Sequence, residues 1–440
     1  MFNRTSTETA EEKAKAHYIK MTQTPVIRLV ASLGLPTTVS MLITNIYNMA
    51  DTYFVGELGE TPQGAMGILF ALQAIIQAVS FMLGHGSGTY AGKELAEGNV
   101  KKASTYVSTA FFAGGAVGLL GLIFGLTFLE PLVRLLGSTE TILPYAKDYG
   151  FWVLLACPVL ITSIVLNNNL RYEGKAVYAM VGLTSGGILN IFLDYLFIRK
   201  LNMGVYGAGL ATALSQAVSF ILLLIFFFAK AQSKVSVKYI SKDVTIYLHI
   251  LKNGFPSLLR QGLTSISHGV LNNLSKPFGD AAIAALSIIN RYSSFVMCVG
   301  LGIGQGFQPV ASFNYTVGKY SRVKKGFWFT VLVGGVLVGT LAGAGAVFAK
   351  PVVSLFQSAE SVIQIGVPGL RVASLGVLFH PIMVPVNMMF QSIRRSVTAS
   401  FLAMLRSGLV FIPVLFLFSS FFGLRGILCA QPAAEDENRA

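Results

Sequence analysis

Runs of about 20 apolar residues, separated by short charged or Gly/Pro-rich loops, recur from residue 26 to the far end of the chain. At about 1.5 Å of rise per residue, each run as a helix matches the thickness of bilayer hydrocarbon. In hydrocarbon every backbone polar group must be satisfied internally, so only helices and closed barrels can span it. A barrel would show short alternating segments instead. The chain therefore reads as an all-α polytopic membrane protein. Its composition agrees: 53% of the 440 residues are hydrophobic and only 12% are charged, which excludes a soluble globule.

Breaking the chain at its loops predicts spans at residues 26–55, 64–90, 104–129, 143–166, 176–199, 205–229, 249–275, 281–305, 326–349, 362–389 and 397–422, with a twelfth starting near Leu424. Alternate loops carry the cations: Lys93, Lys101 and Lys102; Arg171 and Lys175; Lys230, Lys234, Lys238 and Lys242; Lys319, Arg322, Lys324 and Lys325; Arg394 and Arg395. The opposite loops hold Glu57 and Glu60, or Glu130 and Glu140. Because cations collect in cytoplasmic loops, the N-terminus is expected inside. The same clustering accounts for the net charge of +14, and no nucleic-acid partner is expected. The stretch Met1 to Thr24 is polar and mixed in charge, so no cleavable signal is expected there. Cys157, Cys298 and Cys429 lie far apart within apolar runs and read as small core residues rather than a disulfide or metal set.

The most basic loop divides the spans six and six, and the halves resemble each other. LVASLGLPTTVSMLI faces LHILKNGFPSLLRQGLT, matching Pro36 to Pro256; further on, Gly86 and Gly88 match Gly304 and Gly306, and Lys101-Lys102 match Lys324-Lys325. Six spans per half make the repeat parallel, about an axis along the membrane normal. The expected organisation is a cytoplasmic tail at 1–24, an N-lobe of helices 1–6 at 25–229, a basic linker at 230–248 and a C-lobe at 249–440. Only eleven residues, Leu424 to Ala434, precede the polar end EDENRA, so the C-lobe is expected to hold helices 7–11 and a truncated twelfth. The motifs around Gly84-Gly86-Gly88 and Gly302-Gly304-Gly306 follow no strand, which favours close helix packing over nucleotide binding.

Acids inside the spans are few. Asp51 closes the apolar stretch LPTTVSMLITNIYNMAD, six residues before Glu57 and so roughly 9 Å below the helix end. An ionisable group at that depth is costly and marks a candidate functional site. Asp194, five residues before Arg199, lies at similar depth, with Asn190 one turn earlier on the same face. Thr212 and Tyr149 fall in the same layer. Two carboxylates in a low-dielectric site cannot both ionise cheaply, so they share a proton or recruit a cation. Asn190 and Thr212 add neutral oxygens of the kind hard cations prefer. The bland alternatives are a headgroup-exposed Asp51, an Asp194 paired with Arg199 or Lys200, and a Tyr149 that merely anchors at the interface. Pro36 frees a backbone carbonyl and makes the first helix bendable, so that Asp51 would move with Thr44, Asn45, Tyr47 and Asn48.

The second half has no acid within a clear span but carries Arg260, Arg291 and Arg371 with His268 and His380. Arg291, about ten residues into its span, is a candidate gate or anion contact. No metal triad, nucleophile with a paired base or phosphate loop is found, so an enzyme is not expected. Nor does a pore loop or charged ring suggest a channel.

NIYNMADTYFVGELG, LNNNLRYEG, LNIFLDYL, GVYGAGLATALSQ and the closing GILCAQP together resemble the multidrug and toxic compound extrusion (MATE) family, in its prokaryotic DinF-like branch, over residues 25–432. The resemblance implies twelve helices in two six-helix lobes forming a V. It implies a cation or proton site at Asp51, Asn190, Asp194 and Thr212, able to hold Na+ or H+, with Tyr149 beside it. It also implies a hinge at Pro36 and a substrate path along Thr44, Asn45, Asn48, Asn167 and Asn168. The implied protein is a monomeric antiporter in a bacterial or archaeal cell membrane, exporting amphipathic, cationic organic compounds without a cofactor. A lipid-linked oligosaccharide flippase of the same superfamily is the alternative, since its anionic cargo would need cavity arginines. Other branches carry acids on the first and fourth helices of the second lobe; here those helices offer Arg260, Gln261, His268, His380 and Asn387, so coupling there is not expected.

Overall fold

The computed structural model describes residues 10–356 and 359–436. The first lobe comprises α2 (Val26–Gly56), α3 (Glu60–Ala96), α4 (Val100–Thr127), the short α5 (Leu129–Leu135), α6 (Leu143–Tyr172), α7 (Ala176–Asp194) and α8 (Gly204–Lys230), preceded by α1 (Ala10–Gln23). The second comprises α9 (Val244–Ser275), α10 (Asp280–Thr316), α11 (Tyr320–Val347), the short α12 (Ala349–Phe356), α13 (Glu360–Val377), α14 (His380–Ser392), α15 (Ser396–Met404) and α16 (Phe411–Asp436). Among the described residues eight helices are long and apolar enough to cross a membrane, or nine when α13 and α14, bent by 43° at their junction, count as one span. The helix α16 contains a break at Gly423, where φ is +56°.

The internal repeat is legible atom by atom. Asn167 donates its amide to the Ala179 carbonyl at 2.9 Å, and Asn387, at the same sequence offset as Pro256 from Pro36, donates to the Ala399 carbonyl at 2.6 Å. Positive φ recurs at matching turns, with Gly98 and Gly318 at 81° and 74°, and Gly174 and Arg394 at 72° and 66°. The fifth helix of each lobe ends in a π-helical segment, Tyr195–Lys200 after α7 and Leu405–Leu409 after α15.

Helices run further on the basic side than hydropathy indicates: α3 continues to Ala96 and α10 to Thr316. Charged ends such as Lys93 and Glu94 leave the hydrocarbon while the backbone stays helical, and a hydropathy boundary cannot register that. The helix α1 bridges the two lobes on this side. Lys20 donates to the Gly174 carbonyl at 2.9 Å, while Asn314 and Arg322 donate to the Met21 carbonyl. His17 packs edge-on against Phe313, and its burial, with Lys175 and Lys20 nearby, pushes its pKa down to about 3.

The lobes meet along a seam of glycines on the basic side. A Cβ on Gly306 would stand 2.2 Å from the Gly34 Cα, and one on Gly302 would stand 2.4 Å from the Thr38 Cα. A Cβ on Gly86 would lie 2.0 Å from the Ile250 carbonyl oxygen, and one on Gly254 would lie 1.9 Å from that of Met82. Only backbones without side chains approach so closely. Further along α9, Gly262 and Gly269 meet nothing within 4 Å, as the helices diverge. Each lobe keeps its own apolar core. The first gathers Val55, Leu69, Tyr106, Leu166 and Phe227; the second gathers Leu271, Leu286, Ile289, Leu370 and Leu415.

Candidate functional site

Five helices of the first lobe deliver polar side chains to one buried point. Asp51 comes from the last turns of α2, Tyr149 from α6, Asn190 and Asp194 from α7, Thr212 from α8 and Gln73 from α3. Asp194 is fully buried, and Asp51, Asn190 and Tyr149 are each at most 6% exposed. The Tyr149 hydroxyl donates to Asp51 Oδ2 at 2.8 Å, receives a bond from the Gln73 amide at 3.2 Å and lies 3.4 Å from Thr212 Oγ1. The Asn190 amide donates to Thr212 Oγ1 at 3.5 Å.

Equally informative is what lacks a partner. Asp51 Oδ1, Asn190 Oδ1 and both carboxylate oxygens of Asp194 are buried without a hydrogen bond. Burying such oxygens bare is expensive, and proteins rarely leave them so without a reason. Asp194 is not neutralised by the neighbouring arginine: Arg199 turns to Glu57 at the loop, donating from Nε to Oε2 at 2.8 Å. That pairing holds the Glu57 carboxyl below its ordinary range. Asn190, one turn from Asp194 on α7, shares Thr212 Oγ1 with the Tyr149 hydroxyl that holds Asp51. The arrangement is an oxygen-rich cage carrying two carboxylates, a donor set of the chemistry that suits a proton or a hard cation.

Beside it, Tyr47, Leu183, Asn190, Thr212, Ser215 and Gln216 line a small pocket. Sequence reasoning passed over Gln73 and Gln216; an amide inside an apolar run, as in FALQAIIQ, is the signal that would have found Gln73. Of the other residues singled out, Thr44 bonds the Ser40 carbonyl of its own helix, and Asn45 donates to Cys298 Sγ across the lobes at 3.5 Å. Asn48 is half-buried on α2. The Asn167 amide ties α6 to α7, while the Asn168 amide bonds the Ile164 carbonyl and its oxygen accepts from Arg171. Pro36 sits inside a continuous α2. Arg291 is half-buried on α10, Arg371 is exposed, and the His268 side chain lies outside the described residues.

The second lobe fills the matching positions with hydrocarbon. At the offset that carries Pro36 to Pro256 and Asn167 to Asn387, Asp51 becomes Leu271 and Asp194 becomes Val414, both in that lobe's apolar core. Among the described residues the two carboxylates of this cluster thus have no counterpart in the second lobe of a doubled scaffold.

Known proteins share the doubled fold. The MatE family model matches residues 36–196 and 256–417. The multidrug export protein MepA of Staphylococcus aureus (strain NCTC 8325 / PS 47) is 26% identical over 415 residues, covering 94% of this chain and 92% of its own. A crystal structure of MATE in complex with MaL6 superposes with a TM-score of 0.90 at 23% identity, covering 95% of both chains. An outward-facing multidrug resistance MATE transporter of the MOP superfamily also gives 0.90 at 23% identity, over 96% of this chain and 95% of the other. These likenesses extend through both lobes and across the seam: the chain belongs to the MATE (MatE) family of membrane transporters.

Proposed function

We propose that this chain is a secondary active antiporter that exports amphipathic, cationic organic compounds in exchange for protons or sodium ions. The observation that carries the reading is the set of four unpartnered buried oxygens on Asp51, Asn190 and Asp194. Na+ bound there would coordinate them, with Thr212 as a fifth oxygen, and a proton would be shared between two of them. The name of the similar S. aureus protein, a multidrug export protein, supports a broad substrate range.

In this scheme the basic loops face the cytoplasm and the glycine seam closes the cytoplasmic side, with the N-terminus inside a bacterial or archaeal cell membrane. The ion enters from outside, α2 bends at Pro36, and the shift of Asp51 with Thr44, Asn45 and Asn48 narrows the first-lobe cavity and expels substrate. Arg291 guards the second-lobe side of the cleft. A single chain suffices, because both lobes lie within it.

Asp51→Asn removes the charge while keeping the shape. Cells expressing it should retain ethidium as strongly as cells lacking the transporter, with the protein present in the membrane at wild-type level. Wild-type efflux by this variant would overturn the assignment.

A further inference from the structure

A second polar cluster lies sealed in the seam, on the basic side, and the coupling scheme does not use it. Arg171, in the last turn of α6, is 4% exposed. Its guanidinium donates to Gln305 of α10 and to the Asn168 side-chain oxygen, and its Nε has no partner. No carboxylate pairs with it among the described residues. From the opposite lobe comes Arg260 of α9, 7% exposed, which donates to the Asn387 side-chain oxygen at 3.1 Å. His85 of α3 lies in the same seam, edge-on to the Tyr172 ring beside Arg171 with centroids 6.3 Å apart; it is fully buried and neither ring nitrogen has a hydrogen-bond partner.

A helix C-terminus favours a cation, which would be the plain account of Arg171. The guanidinium, however, is directed across the seam to Gln305 and sideways to Asn168, not to the carbonyls of its own last turn. A lost charge would be cheaper than a buried one, and a glutamine could make the same two contacts. What only an arginine provides is a planar fork for a carboxylate or phosphate. The Arg171–Gln305 bond joins the lobes, so alternation that parts them on this side breaks it and frees the Arg171 guanidinium at the opened mouth, while Arg260 keeps its bonds within the second lobe.

We propose that Arg171, Arg260 and His85 form an anion subsite at the basic-side mouth that receives the carboxylate of zwitterionic amphiphiles before their cationic end moves toward the Asp51–Asp194 layer. The inference rests on the antiporter reading and narrows its substrate class. Cations and zwitterions would both be exported, with the zwitterion gaining a contact that a pure cation lacks.

The test compares three probes in everted vesicles: norfloxacin, which carries a carboxylate and an amine; its methyl ester, which keeps only the amine; and ethidium, a plain cation. In the wild type, norfloxacin should show a KM about tenfold below that of the ester, a gain of about 1.4 kcal/mol. Equal KM values would overturn the subsite without any variant being needed. Arg171→Gln and Arg260→Gln should each lower the norfloxacin-to-ethidium transport ratio about tenfold, and Arg171→Lys should restore part of it. A ratio unchanged in both glutamine variants would leave the arginines as seam contacts alone and refute the proposal. Failure of the wild type to move any of the three probes would instead count against the antiporter reading itself.

Discussion

Asp51 keeps one carboxylate oxygen bonded to the Tyr149 hydroxyl at 2.8 Å and leaves the other bare, while Asp194 leaves both bare. Tyr149 is thus a positioning group, held in turn by the Gln73 amide at 3.2 Å. A hydrogen bond to a charged group is worth about 1.5–3 kcal/mol. Removing the hydroxyl with Tyr149→Phe should therefore slow gradient-driven efflux about tenfold, with unchanged membrane insertion; efflux at the wild-type rate would show that the bond does not matter. At this scale much was legible from the chain alone. An acid in an apolar stretch has few explanations, and Asn190 one turn before Asp194 fixed a shared face. Less legible was the direction of each side chain. Nothing in the spacing shows that Arg199 turns to Glu57 instead of Asp194, or that Asn167 serves the junction of α6 and α7.

Among the elements, the glycine seam sets how closely the lobes can approach. Gly306→Val would push a side chain into the α2 backbone at Gly34, whereas Gly335→Val on α11 meets nothing within 4 Å. Overpacking costs about 1–3 kcal/mol. The first variant should lower the melting temperature by several degrees and depress efflux, while the second should match the wild type; equal behaviour of the two would remove the seam from the account. Of the eleven spans expected from hydropathy, eight are long apolar helices among the described residues, or nine with α13 and α14 as one, while the stretch expected at 397–422 is divided among α15, Leu405–Leu409 and α16; the repeat was readable from Pro36 and Pro256. The short helices α5 and α12 were not, because seven or eight residues at an interface produce no transmembrane signal. The break between α13 and α14 falls beside Pro381, where a proline inside an apolar run already signals one.

As a whole the molecule is a doubled scaffold with unequal contents: acids in the first lobe, and Leu271 and Val414 where the second would repeat them. The lobes touch on the basic side as far as Asn45 and Cys298, whose side chains lie 3.5 Å apart. That contact offers a direct test of alternation. Asn45→Cys should form a disulfide with the native Cys298 under mild oxidation, abolish efflux, and recover it on reduction. Full efflux from the cross-linked protein would mean that the lobes need not part there.

Coupling through Asp51 and Asp194 is the central claim, and purified protein in proteoliposomes tests it most directly, with a proton gradient or a sodium gradient imposed separately across the membrane. The wild type should drive ethidium against its own gradient when at least one of the two is applied, and Asp51→Asn should fail under both. Gradient-driven transport by Asp51→Asn at the wild-type rate would contradict the account.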